Sequence, residues 1–481
     1  MTNTSLKGHQ KKPKAQVKVP EARTMALQIL LQIEKNEAYA NIALDAAFQK
    51  WPASKQERAF CTELVYGTVR HQLTLDWIAG IFLNRGNTED LTPAIRNILR
   101  MAFYQLHFMH YQPEAAVVDE AVKLALRFGH SGVSKLVNAV LRSYLRNPEK
   151  VVYPSIEAEP AKYLSIRYSH PSWLVERWLN RFGFETTARL CDFNNGPAPV
   201  CIRVNTLRCS REELIERLLA EQVVVAQSLL VPEGLTISGF NRIESLPSHR
   251  DGWFIVQDES SMIVGHAVAP KPGETIIDLC GAPGGKATHL AQLMHNEGQI
   301  ISVDLHEQRT RLIQENANRL GVRIIATVAG DALNFRMPAD GGAADAVLLD
   351  APCTGTGVIR RRADSRWRRM PRDISELADL QYRLLEQAAT LVEQGGRLVY
   401  STCSLEPEEN HLLIERFLKQ HQEFRPADLS GLLSARLQSS AGADNLGRPE
   451  HQGLKGPGFF YLLPWVHNTD GFFICRMERV V

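Results

Sequence analysis

The sequence predicts a three-part α/β protein, with an all-helical front, a small mixed middle and a doubly wound, mostly parallel sheet at the back. Three observations carry this. Apolar residues recur every three or four positions through the first 147 residues, prolines crowd the stretch 148–250, and from 251 onward short β-rich runs alternate with long amphipathic helices. The 481 residues suffice for roughly three domains of about 150 residues each. A 44% hydrophobic and 22% charged composition is that of an ordinary soluble globular chain, and a formal charge of +2 does not by itself announce a polyanionic partner.

In the front part Ala22, Met25, Ala26, Ile29, Leu30 and Ile33 share one helical face. Further helices are expected around 60–81, 95–106, 117–128 and 133–144, separated by Pro52, Gly86, Pro93, Pro113 and Gly129. A helical bundle over 21–147 results. Its Arg70, His71, Arg96, Arg100, Lys123, Arg127, Lys135, Arg142 and Arg146 are candidates for a basic face, although singly each is an ordinary solvated position. Residues 1–20 hold five lysines and no acid and read as a disordered basic arm.

The middle, 148–250, is expected to be one small α/β domain. Pro171 suits the first turn of a helix opened by His170, Val200–Leu207 alternates as a strand, and Ser210 with Glu213 forms a capping box for a helix reaching about Ala220.

The back, 251–481, carries the chemistry. Strands are expected at Thr275–Leu279, Gln299–Val303, Arg323–Val328, Ala346–Leu349 and Arg397–Tyr400, with helices such as His306–Leu320 and Ser375–Glu393 between them. The first strand runs into Cys280, Gly281, Ala282, Pro283, Gly284, Gly285 and Lys286 and then a helix, the strand, tight turn and helix of a Rossmann-like fold. Glycines there let backbone approach a ligand. Asp304, Asp331 and Asp350 follow at the next three strand ends. Each alone is a turn former, but as a set they suit an adenosine-containing cofactor, and the absence of GxGxxG favours one without a pyrophosphate.

Eight cysteines form no CxxC pair and no His/Cys ligand spacing, which argues against zinc and disulfides and for a reducing cytoplasm. No run of 18 apolar residues suggests a membrane span, and monomer is the default expectation. Cys353, three residues beyond Asp350, and Cys403, at the end of the fifth strand, are placed to face one crevice. Two thiols and a carboxylate beside a cofactor pocket suit covalent base chemistry, because a pyrimidine's carbon 5 is a poor nucleophile until a thiolate adds at carbon 6. Cys61, Cys191, Cys201, Cys209 and Cys475 read as packing residues. Between 360 and 372 seven arginines face Asp364 alone, and with Trp367 they read as an RNA-gripping patch.

The motifs Asp278-Leu279-Cys280-Gly281-Ala282-Pro283-Gly284-Gly285-Lys286, Asp350-Ala351-Pro352-Cys353, Ser401-Thr402-Cys403-Ser404 and Asp470-Gly471-Phe472-Phe473 resemble those of the RNA 5-methylcytosine methyltransferases of the Nop2/Sun family. The front, with Glu63 to Arg70 and Val137 to Arg142, is similar to a NusB-type RNA-binding domain. The resemblance, strongest to the family's bacterial branch, implies S-adenosylmethionine as donor, held by Cys280 to Lys286 with Asp304, Asp331 and Asp350. It implies 16S ribosomal RNA or a small-subunit assembly intermediate as substrate, Cys403 as nucleophile and Cys353 in product release. Gly281 departs from the family's usual Ala, and Ala287 from a common Thr. Two other readings compete: the same chemistry on transfer RNA or another ribosomal site, and an RNA-binding factor without activity.

Overall fold

The structure is a computed structural model and describes residues 21–36, 39–51, 53–83, 87–109, 112–337, 342–434, 436–437 and 458–480. The basic arm and the breaks at Pro52 and Gly86 lie outside the described residues. The chain divides into two compact units, Met1–Ala158 and Glu159–Val481.

The first unit is helical: α1 (Ala22–Asn36), α2 (Ala40–Lys50), α3 (Lys55–Arg70), α4 (Gln72–Phe82), α5 (Pro93–His107), α6 (Glu114–Phe128) and α7 (Ser131–Arg146). Ser54 and Glu57 cap α3 reciprocally, and Pro93 occupies the first turn of α5. Helix α5 is the hub, packing on α1, α3, α4, α6 and α7 with Ile95, Ile98, Leu99, Met101 and Phe103 buried. Gly67 on α3 permits this, because a methyl group there would overlap the Tyr104 ring.

In the second unit the elements are α8 (Pro160–Tyr168), α9 (Ser172–Asn195), β1 (Val200–Val204), α10 (Arg211–Ala220), β2 (Val224–Gln227), β3 (Gly234–Ser238), α11 (Pro247–Arg250), β4 (Phe254–Val256) and α12 (Glu259–Val268). There follow β5 (Thr275–Leu279), α13 (Gly285–Leu293), β6 (Gln299–Asp304), α14 (Glu307–Leu320), β7 (Ile325–Ala329), β8 (Ala344–Asp350), α15 (Pro371–Leu391), β9 (Val392–Thr402), α16 (His411–Gln420), β10 (Phe424–Pro426), β11 (Phe459–Leu462) and β12 (Phe472–Arg479). The capping box expected at Ser210 and Glu213 is present.

A four-stranded antiparallel sheet, β2-β3-β1-β4, closes on α10 through Ile202, Val204, Leu214, Leu218, Leu235 and Phe254. The large sheet runs β10-β12-β9-β8-β5-β6-β7, with β11 added on β12; β9, β8, β5, β6 and β7 are parallel, and the β12 pairings are antiparallel. Successive residues of its strands fill opposite cores. Ile277, Val347 and Leu398 face α8, α9, α15 and α16, whereas Ile276, Ala346 and Val399 face α12, α13 and α14.

The segment 148–250, expected as one small domain, is split. Residues up to 158 fall in the first unit, and α8 and α9 pack Leu164, Leu174, Val175, Trp178 and Leu190 into the core of the large sheet. Only β1 to β3 with α10 and α11 form the small layer, joined there by β4 from beyond residue 250. Proline density marks where elements stop but not which core each apolar face joins. From β5 the chain steps outward to β6 and β7 and then returns to β8 on the other side. That reversal opens a crevice at the carboxyl ends of β5 and β8, where such sheets bind ligands.

Candidate active site

The turn after β5 forms one wall of the crevice. Cys280 has φ +63° and Gly284 φ +95°, and Gly284 N donates to Gly281 O at 2.8 Å, closing a tight loop. Gly281 N donates to Val303 O at 3.0 Å and Ala282 N to Asp304 Oδ2 at 3.3 Å, which ties the loop to β6. A side chain at 281 would collide with Ser302 Oγ and Asp278 Oδ2, so only glycine lets the loop lie this close. Asp278 beneath it is wholly buried, and burial pushes its carboxyl up to about 7.

The three acids fare differently. Asp304 closes β6, buried, with Arg309 at 3.3 Å and the His306 N–H at 3.4 Å. Asp331 is exposed and caps the next turn, accepting from Leu333 N at 3.0 Å and Asn334 Nδ2 at 3.2 Å. Asp350 closes β8, accepting from Lys286 Nζ at 2.7 Å and from Ser401 Oγ at 2.8 Å. Burial opposes the charge on Lys286, yet Asp350 raises its pKa, so the ammonium persists with 12% of its side chain exposed. Leu305, which the sequence reading missed, lies 61% exposed beside Asp304. These strand-end carboxylates, and the exposed Leu305 next to Asp304 in sequence, are the residues that could hold the ribose and base of an adenosine-bearing cofactor. The sequence signal for Leu305 was an apolar residue directly after a strand-end acid.

The two thiols meet. Parallel pairing of β8 and β9 sets Asp350 opposite Ser401, so the loops that follow leave side by side. Cys353 Sγ and Cys403 Sγ stand 3.2 Å apart, and Gly357 N donates to Cys403 O at 2.9 Å. The hydrogen bond with Cys403, and then burial, push the Cys353 thiol well up. Burial also raises Cys280, Cys61, Cys191 and Cys201 to about 12 and Cys209 to about 11, and it raises Cys475 too. These stay unreactive thiols. Glu409 was missed: the sequence shows two adjacent glutamates after Pro407, and nothing local says that one of them is buried.

The arginine stretch is largely structural, which corrects its reading as an RNA grip. Arg361 bonds Asp258, Asp470 and Pro199 O, Arg366 is 1% exposed against Ser169 O, Asn194 O and Asn195, and Arg369 donates to Thr354 O and Cys353 O. Arg360 stacks over Phe193. Arg362 and Arg372 are exposed, and Trp367 is half-buried. In the helical unit Arg96 pairs with Glu34, Arg100 with Asp76, and Lys123 with Asp119 and Glu120.

Among the described residues Glu233, His266 and His289 have the composition of a metal-ligand set. His266 Nε2 hydrogen-bonds Glu233 Oε1 at 2.8 Å, His289 Nε2 lies 2.8 Å from the same oxygen without hydrogen-bond geometry, and the buried Arg203 guanidinium adds positive charge beside them. No described helix is long and apolar enough to cross a membrane.

Three family models match the chain: the NusB family over 20–146, the ferredoxin-like domain of RsmF/B-like methyltransferases over 170–244, and 16S rRNA methyltransferase RsmB/F over 265–478. A probable ribosomal RNA small subunit methyltransferase B of Bacillus subtilis is 37% identical over 96% of this chain and 100% of that protein. A ribosomal RNA small subunit methyltransferase B of Escherichia coli is 35% identical over 91% of this chain and 97% of that protein. The crystal structure of PH0851 superposes with a TM-score of 0.76 at 30% identity, covering 96% of this chain and 99% of that one. A NusB-like helical unit, a ferredoxin-like layer and an α/β methyltransferase sheet thus follow one another along the chain, which belongs to the RsmB/F, Sun-type methyltransferase family.

Proposed function

We propose that this chain methylates carbon 5 of a cytosine in 16S ribosomal RNA, free or in an assembling small subunit, through a covalent bond between Cys403 and carbon 6 of the base. The observation that carries the reading is the sulfur pair at 3.2 Å beside the Asp350–Lys286 pair, at the switch-point crevice. S-adenosylmethionine supplies an electrophilic methyl group when bound. Cys280 to Lys286, Asp304, Asp331 and Asp350 are the residues that would hold it.

The chain's own groups do the rest. A cytosine must leave its stack to reach the crevice. Cys403, as thiolate, adds to carbon 6, and the electron pair moves into the ring, making carbon 5 nucleophilic. Asp350, oriented by Ser401 and Lys286, hydrogen-bonds the ring, and the Lys286 ammonium offsets charge that builds there. Once carbon 5 carries its methyl group, its proton passes to water, the electron pair of that carbon–hydrogen bond re-forms the carbon 5–carbon 6 double bond, and the carbon 6–sulfur bond to Cys403 breaks with its electrons going to the sulfur. Cys353, held as a thiol, donates to the departing Cys403 sulfur and eases that expulsion.

The test is transfer of labelled methyl from S-adenosylmethionine to unmodified 16S RNA, with the product mapped by nucleotide. Label on 5-methylcytosine, lost in Cys403→Ala, is expected. Label at another atom, or undiminished transfer by Cys403→Ala, defeats the reading.

A further inference from the structure

The fold treats the two glutamates after the Thr-Cys loop in opposite ways. Glu408 is 40% exposed and pairs with Arg177 at 2.8 Å, whereas Glu409 is completely buried. Glu409 Oε1 accepts from Thr354 N at 2.8 Å and from Gln381 Nε2 at 2.9 Å, and Oε2 accepts from the hydroxyls of Thr354 and Ser404. A carboxylate offers about four acceptor positions, and four donors meet it here. The identity of those donors matters more than their number. Thr354 directly follows Cys353, and Ser404 directly follows Cys403. Gln381, from α15, also donates to Pro352 O at 2.8 Å, on the other side of Cys353, and Tyr400 OH donates to Glu409 O at 2.6 Å. One side chain therefore grips both thiol-bearing loops just beyond the ends of β8 and β9, adding to the Gly357 N–Cys403 O bond that also joins them.

We propose that Glu409 is a positioning residue that sets the spacing of Cys353 and Cys403 by clamping the residue that follows each. The inference deepens the reading of the two thiols as a working pair. Alanine at 409 orphans the Thr354 N–H and one of the two Gln381 amide hydrogens, and it removes the cross-link next to the two cysteines, leaving the loops joined farther along by Gly357 N and Cys403 O. Glutamine retains an oxygen for those two N–H donors, while its amide donates to the two hydroxyls, which rotate to accept. The clamp therefore survives Glu409→Gln.

The spacing is readable without RNA or methyl donor. Diamide oxidises two neighbouring thiols to a disulfide, its N=N bond taking up two electrons and two protons to become a hydrazine. The rate of Cys353–Cys403 linkage in the full-length protein is followed by peptide mass spectrometry. Glu409→Ala and the double variant Thr354→Val/Ser404→Ala should link at least about tenfold more slowly, since ångström-scale misplacement has effects of that order. Glu409→Gln should stay near the wild-type rate. The double variant keeps the buried carboxylate and carries the test if Glu409→Ala does not fold. In methyl transfer, Glu409→Ala should lower kcat with little change in KM for RNA and accumulate the RNA adduct, which Glu409→Gln should relieve. Wild-type linkage rates in both the alanine and double variants, or a glutamine variant as slow as alanine, overturn the proposal. If linkage responds as expected but the wild type methylates no cytosine, the clamp stands and the proposed reaction falls.

Discussion

Cys353 and Cys403 hold their sulfur atoms 3.2 Å apart although 50 residues separate them in the chain. The contact is made by two parallel strands, β8 and β9, whose register pairs Asp350 with Ser401 and so delivers both loops to one end of the sheet. Neither thiol has that neighbour without the sheet.

The pair yields the first prediction. Cys403→Ala should reduce methyl transfer by roughly 10³-fold or more, the scale of losing a nucleophile. Cys353→Ala should leave addition intact and slow expulsion, so that a protein–RNA adduct appears on denaturing gels. Adduct in the Cys403 variant and none in the Cys353 variant would reverse the two roles.

Asp278 supplies a pH dependence. Burial lifts its carboxyl from 3.8 to about 7, and its Oδ1 has no hydrogen-bond partner among the described residues. Below about pH 4 native and unfolded chains both carry this proton, and between about 4 and 7 only the native chain keeps it. The group's favourable contribution therefore shrinks as pH rises through that window and is gone above it. Asp278→Asn should flatten the stability curve between those limits and unfold later than wild type at pH 8, by up to about 4 kcal/mol. Thermal unfolding across pH measures it, and an unchanged slope in the variant refutes it.

Ser302 Oγ and Asp278 Oδ2 fill the space that a methyl group on residue 281 would take. Gly281→Ala should cost about 1–3 kcal/mol by overpacking. Adding Ser302→Ala should return part of that cost, a coupling visible in a urea double-mutant cycle. Simple additivity would show that the collision is not what keeps glycine there.

The arginine stretch separates two effects. Arg366→Ala strips hydrogen bonds from Ser169 O, Asn194 O and Asn195 in the interior and should destabilise by about 3 kcal/mol. Arg362→Ala and Arg372→Ala, at exposed positions, should shift stability by no more than about 0.5 kcal/mol. Any loss of RNA affinity among these three should come from the exposed pair. Filter binding beside thermal melts distinguishes them, and a stable Arg366 variant that has lost RNA would restore the original reading of the patch.

What the sequence determined by itself was local. The period of apolar residues marked α14, expected at His306–Leu320 and found at Glu307–Leu320, and β5, expected and found at Thr275–Leu279, because helices and strands are set by near neighbours. The same holds for the glycine turn, the strand-end acids and the two thiols, each legible as a residue type at the end of a periodic run. Tertiary structure decided partnership. Whether Glu408 or Glu409 is buried, whether Arg366 meets water or the carbonyl of Asn194, and whether α9 joins the small sheet or the large core depend on groups brought together from distant parts of the chain. A charged side chain carries no local mark of its partner. Its desolvation is repaid only by donors or acceptors that the folded topology places around it, and that placement belongs to the whole sheet rather than to any stretch of sequence.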